Sequence, residues 1–240
     1  MKIIIIRHGD PDNPHNCLTP QGYKEVELLG EFLKDFHYDK AFTSPLARAL
    51  ITSEEVLKHH NDHAEILPWL QEFLHLVNLP YEQEKHLTWD LMPSYYLKEK
   101  DLFDNDKYLD HPMMVSGDIK SKYEEVVNSF DEILKEYGYE RQNNYYKVNS
   151  SNRKTLVFFC HFGMMTVLMS HLMNIPYVIL ANTMICSPSG ITTFVTEERE
   201  KGTAIFRCMQ FGDISHLNIG KEKPSFHGRF CEIYDCDERH

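Results

Sequence analysis

The stretch "IIIIRHG", residues 3–9, decides the fold. Four consecutive isoleucines are apolar on both faces of any strand they form, which suits a central strand of a parallel sheet. Such a strand has no place for charge, yet Arg7 and His8 follow at once. A second segment, "LVFFCHFG" at 156–163, repeats the pattern of apolar run, histidine and glycine. In open α/β sheets, ligands bind beyond the carboxyl ends of the strands. Both segments therefore deliver an imidazole, His8 and His161, to one edge. His161 also precedes a helix whose free N–H groups favour an anion. A lone strand-end histidine is most often structural. Two at matching ends, one beside Arg7, point to a site.

Working outward, a helix starts near Thr19, which caps it, with Pro20 in its first turn. Its apolar face is Val26, Leu28, Leu29, Phe32, Leu33 and Phe36. "KAFTS" (40–44) reads as a second strand, and Ser44 and Pro45 open a helix running to about Lys58. "EILPWL" (65–70) is a third extended piece, and 73–117 reads as an aromatic-rich insertion over one end of the sheet. A strongly periodic helix spans about 118–137. "NNYYKVNSSNRKTLVFFC" (143–160) reads as a hairpin turning at "NSSN". A helix over 163–174, stopped by Pro176, and strands at 190–195 and 203–211 complete the pattern; the tail from Gly212 has no clear assignment. Alternating strands and helices imply a three-layer α/β/α sandwich with a mostly parallel central sheet. The 240 residues are read as one domain with a cap insertion at 73–117.

The formal net charge of -11 argues against nucleic acid or anionic membrane as partner. Six cysteines without C-x-x-C or zinc-ligand spacing read as reduced thiols, and no apolar run approaches a membrane span, so the expected compartment is cytoplasmic. Arg48, in "SPLARAL", sits in the first turn of its helix, where positive charge opposes the helix dipole. A residue that breaks a local rule is a functional candidate. The strand before it puts this helix start at the edge that carries both histidines. Two arginines and two histidines at one edge make an electropositive pocket suited to phosphate, whose oxygens accept bidentate guanidinium bonds.

The ordered set "RHG", "LTPQG" (18–22), "SPLARA" (44–49), "LQE" (70–72) and "CHFG" (160–163) resembles the histidine phosphatase superfamily, which includes cofactor-dependent phosphoglycerate mutases. "FGDISHL" (211–217) is similar to a further family pattern. The resemblance covers nearly the whole chain. It implies His8 as nucleophile forming a phosphohistidine, with Arg7, Arg48 and His161 around the transferred phosphoryl group. It also implies Glu72 as general acid, then base. A second branch of the family carries an aspartate after the late histidine. Here that position is Phe162, so the resemblance is to the mutase-like branch. Members of that branch place an asparagine shortly after "RHG" against phosphate. "DPDNPHN" offers Asn13 and Asn16, neither at the family's spacing, and Asn13 is carried as a candidate contact.

Mutases of this kind follow "RHG" with serine or threonine, then Trp-Asn, which this chain lacks. The expectation is a metal-independent phosphomonoester hydrolase with no cofactor, acting on a small phosphorylated metabolite. A mutase-type phosphotransferase and a non-catalytic phosphate-binding protein are the alternatives. A metal hydrolase, suggested by "KHHNDH" (58–63), is explained better by a solvated helix end. Trp89, Tyr95 and Tyr96 are expected either to close over the pocket or to pack the insertion onto the sheet. Oligomeric state has no signal in the sequence.

Overall fold

The isoleucine run lies in strand β1 (Lys2–Arg7) of a computed structural model that describes residues 1–236. Small strands β2 (Pro11–Asp12) and β3 (Cys17–Leu18) follow, then helix α1 (Pro20–Leu33), β4 (Lys40–Thr43), α2 (Ala47–Leu57) and β5 (Glu65–Ile66). The segment 73–117 holds a hairpin of β6 (Leu76–Asn78) and β7 (Lys85–Leu87), with short helices α3 (Pro93–Tyr96) and α4 (Pro112–Ser116). After it come α5 (Ile119–Glu136), β8 (Tyr139–Gln142), β9 (Tyr145–Val148), β10 (Thr155–Cys160), α6 (Phe162–Met173) and α7 (Tyr177–Thr183). Strands β11 (Ile191–Glu200) and β12 (Thr203–Asp213) and helix α8 (Ser215–Gly220) end the described elements. No helix among the described residues is long and apolar enough to cross a membrane.

The main sheet has the order β5-β4-β10-β1-β11-β12-β9-β8. It is parallel from β5 through β1 and antiparallel beyond. The alternation of the strand explains why isoleucine suits all four positions. Ile3 and Ile5 join the core under α5 and α6, whereas Ile4 and Ile6 join the core under α1 and α2, and none is more than 4% exposed. Phe158 and Phe159 of β10 divide between the two cores in the same way. Buried residues of 73–117, among them Phe73, Val77, Leu91 and Tyr96, share the α5–α6 core.

Thr19 caps α1 as its residue type predicts, accepting from Gly22 N–H at 3.0 Å. The expected apolar face of α1 is narrower, since Phe32 is exposed and Phe36 lies past the helix end. Helix α2 starts at Ala47 rather than Ser44, because Ser44 continues the sheet edge through a bond from its N–H to Phe159 O. Only Glu65–Ile66 of "EILPWL" is strand; Pro68–Leu70 forms a 3₁₀ turn. The predicted hairpin turn is misplaced. The chain reverses at Asn143, whose positive φ of 52° suits a tight turn, and β8 pairs with β9. The fully buried β10 instead takes parallel partners on both sides, β1 and β4.

Gly22 marks where α1 meets the segment after His8. A Cβ there would lie 2.2 Å from the carbonyl oxygen of Asp10. Alanine gains about 1 kcal/mol over glycine inside a helix, but overpacking costs ~1–3 kcal/mol, and a backbone atom yields less readily than a side chain. Gly22→Ala is expected to lower the urea midpoint of unfolding at unchanged slope; an unchanged or raised midpoint would show that the helix preference wins.

Candidate active site

Strand pairing places the site before any side chain does. Arg7 is in register with Cys160, and His8 N–H donates to Cys160 O at 3.0 Å, so the histidine positions of β1 and β10 leave the sheet together. The imidazole rings of His8 and His161 lie 5.0 Å apart. His8 Nδ1 is 2.7 Å from Gly9 O, which only accepts, so Nδ1 carries the proton. Nε2 is left with its lone pair and accepts from Arg48 Nε at 3.1 Å. Burial, helped by His161 and Arg7, drives the His8 pKa well below its ordinary value, so the ring is neutral. Gly9 is forced by its surroundings, since a Cβ would meet Val26 Cγ1 at 2.7 Å and Gly22 O at 2.8 Å.

His161 is fully buried, and its Nε2 lies 2.7 Å from Ser44 Oγ. Its Nδ1 is buried without a hydrogen-bond partner, as is Nε of Arg7. Arg7 directs its guanidinium to Cys186 O and sits 5.6 Å from the centre of the Phe162 ring. Unpaired buried nitrogens are rare in proteins, and that of Arg7, a donor beside a neutral imidazole, marks a place for an acceptor-rich group.

Helix α6 was expected to offer its N-terminal N–H groups to a bound anion. One of these groups is taken within the protein, by Glu72. Its Oε1 accepts from Met164 N at 3.1 Å and from Phe73 N at 3.0 Å. Burial nevertheless raises the Glu72 pKa, against the pull of those N–H groups and of Arg7 and Arg48. Gly163 makes this approach possible, because a Cβ would lie 2.8 Å from Glu72 Oε1 and 2.3 Å from Trp89 Cζ3. The indole thus lies against the helix start beside the carboxyl group.

Arg7, His8, Arg48, Glu72 and Asn13 all line one cavity of about 770 Å³. Asn13 is exposed and belongs to a turn closed by Asn16 N donating to its carbonyl at 3.2 Å. His161 does not line the cavity; it lies beneath, against His8. Of Trp89, Tyr95 and Tyr96, the first and last line the cavity, while Tyr95 packs on Tyr81. Among the described residues no group of three or more His, Cys, Asp or Glu is placed to hold a metal ion, and His60 of "KHHNDH" bonds Leu33 O.

Two contributors escaped sequence reasoning. The tail residues His227, Gly228 and Arg229 line the cavity, and Gly228 lies over the Arg7 guanidinium. The run "FHGRF" (226–230), basic and aromatic in an acidic chain, was the available signal. Ser44 was read as a helix start, although its hydroxyl holds His161. "FGDISHL" has a supporting place: His216 Nε2 bonds Ser189 Oγ at 2.8 Å, and Ser189 N–H donates to His8 O at 3.0 Å. Glu25, fully buried in α1, accepts from Asp10 N at 2.8 Å and Ser225 N at 3.0 Å.

The model of the histidine phosphatase superfamily (branch 1) matches residues 3–206. Similar solved structures include phosphoserine phosphatase from Entamoeba histolytica in complex with 3-phosphoglyceric acid, at 19% identity and TM-score 0.58, covering 90% of this chain and 98% of that one. Alpha-ribazole phosphatase from Shigella flexneri matches at 17% identity and TM-score 0.55, covering 89% and 97%. At such identities these likenesses establish the fold. A 2,3-bisphosphoglycerate-dependent phosphoglycerate mutase from Cytophaga hutchinsonii is 39% identical over 64 residues, 23% of this chain and 30% of that one. An uncharacterised Acanthamoeba polyphaga mimivirus protein is 26% identical over 136 residues, 52% of this chain and 25% of that one. The chain thus spans a third or less of the length of the curated relatives it matches.

Buried neutral imidazoles make stability depend on pH. Burial pushes His216 down to about 4. Unfolded histidine takes up a proton below about 6.5, while native His216 does not. Its contribution is full above 6.5 and is lost, by about 1.4 kcal/mol per unit, as pH falls below that value towards the native one. Glu25 and Glu72, raised by burial, act with opposite sign as pH rises above the unfolded carboxylate range. Replacing His216 by asparagine is therefore expected to shrink the loss of urea midpoint between pH 7.5 and 5.5. An undiminished loss would assign the pH dependence to other groups.

Proposed function

The chain belongs to branch 1 of the histidine phosphatase superfamily, and from that premise we propose a phosphomonoester hydrolase that works through a phosphohistidine on His8. The observation that carries this reading is the state of the His8 ring: neutral, with its proton held by Gly9 O and its Nε2 lone pair turned to Arg48. A neutral, fixed imidazole nitrogen is a competent nucleophile toward phosphorus. In the first step Nε2 bonds phosphorus and the P–O bond to the leaving group breaks. Arg48 gives up Nε2 and turns its fork onto the phosphoryl oxygens. Gly9 O steadies the positive charge that the phosphorylated ring acquires.

Arg7 and Arg48 carry the charge on the phosphoryl oxygens, which is the main demand of phosphoryl transfer. With the Ser44 hydroxyl proton on His161 Nε2, the proton of that ring lies on Nδ1 and adds a donor beneath. Glu72, raised in pKa by burial, gives a proton to the departing alkoxide. It then takes one from the water that attacks phosphohistidine, which releases inorganic phosphate and restores neutral His8. The six free cysteines support a reducing compartment such as the cytoplasm, and the substrate is a small phosphorylated metabolite. A mutase-type transfer would share every step up to the phosphohistidine. The stretch of 39% identity to a phosphoglycerate mutase keeps that reading second.

His8→Ala is expected to abolish both turnover and acid-labile incorporation of ³²P from substrate; labelling that persists would remove His8 as nucleophile. Glu72→Gln should slow esters of poorly acidic alcohols by ~10²–10⁴-fold and p-nitrophenyl phosphate far less. Equal losses on both would remove Glu72 as the acid. Activity should also survive dialysis against a strong chelator, since arginines carry the phosphoryl charge in this reading.

A further inference from the structure

The phosphate end accounts for only part of the cavity. At about 770 Å³ it has the size of sites that enclose drug-sized ligands. Beyond Arg7, His8, Arg48 and Glu72 its lining is mainly apolar, with Leu87, Trp89, Leu91, Met92, Tyr96 and Phe230 prominent. This wall is built rather than loose. Asn182 donates from Nδ2 to Thr88 O at 2.8 Å and to Val178 O at 2.7 Å, and its Oδ1 accepts from Leu91 N at 3.2 Å. The wall segment after β7 is thereby bolted to α7, and the amide of Asn182 is spent on that task although it also faces the cavity.

Charge sharpens the point. Among the described lining residues there is no lysine, and the arginine outside the phosphate end is Arg229. Its guanidinium pairs with Glu232 and lies 3.8 Å from the centre of the Phe226 ring. Of the other titratable side chains there, Asp90 is an acid, and His227, its pKa lowered mainly by burial, is neutral. A carboxylate or second phosphate on the substrate would be desolvated here beside an acid, without a free cation to meet it.

We propose that the substrate is a phosphomonoester of a bulky, apolar, uncharged alcohol or phenol, which carries one phosphate and no carboxylate. The proposal rests on the hydrolase reading above. It makes the 87–96 wall the specificity surface and separates this chain's substrate from short phosphorylated acids.

The test compares two primary alkyl esters, so that leaving-group chemistry is matched: 3-phenylpropyl phosphate and 3-phosphoglycerate. Burial of the ring against the wall is expected to give the phenylpropyl ester a kcat/KM at least about tenfold higher. Met92, 51% exposed and on the cavity wall, accepts a charge without disturbing the core. Met92→Lys should cut that ratio at least about fivefold, by supplying the missing cation. Turnover with a ratio of one or below overturns the substrate class and leaves hydrolysis standing. A ratio that Met92→Lys does not move overturns the wall as its origin. No turnover of either ester overturns the hydrolase reading and this proposal together.

Discussion

The parallel register of β1 on β10 is the constraint on which the site depends. Because Arg7 lies opposite Cys160, the residues after them leave the sheet at the same height, and two imidazoles meet. That register is enforced on both faces of the sheet. Slipping β1 by one residue would exchange the environments of Ile3 and Ile5 with those of Ile4 and Ile6 and carry His8 away from His161. The hydrophobic cores therefore hold the two imidazoles in place, and the geometry of the pocket is inherited from packing that lies outside it.

A second dependency runs through the start of α6. One carboxyl group, Glu72, serves the helix as a partner for Met164 N–H and also faces the cavity. A helix N-terminus favours the ionised form of such a group, whereas enclosure by Trp89 and the surrounding core favours the neutral one. The net upward shift shows that enclosure wins. Gly163 is where these effects meet, since any side chain there would part the indole, the carboxyl and the helix. Its place in "CHFG" is a matter of space more than of backbone freedom.

How much of this was legible depended on the range of the interactions. Both strand-end histidines, Arg48 and the Thr19 cap were readable because each is announced by its immediate neighbours. So was the sandwich, from the alternation of buried runs with amphipathic ones. The turn assigned to "NSSN" failed because local turn chemistry competes among several polar sites, and only pairing across the sheet decides which one reverses the chain. That Glu72, 92 positions away, takes one N–H at the start of α6 is likewise a fact of the fold that no local pattern announces. Ser44 and the 226–230 tail were missed for the same reason: their partners, His161 and Arg7, are distant in sequence and near in space.

Glu25 joins the two ends of the described chain, holding Asp10 with one oxygen and Ser225 with the other. His8 itself takes a hydrogen bond at its carbonyl from Ser189. A ribosome delivers these partners in order, N-terminus first. His8 is made well before its partners, so its strand has no parallel neighbour until 155–160 appears, and the carboxylate clamp beside it closes only after residue 225. The growing chain thus carries His8 unassembled at least until 155–160 has been made. The pocket exists only once the fold has joined residues 200 positions apart in the chain.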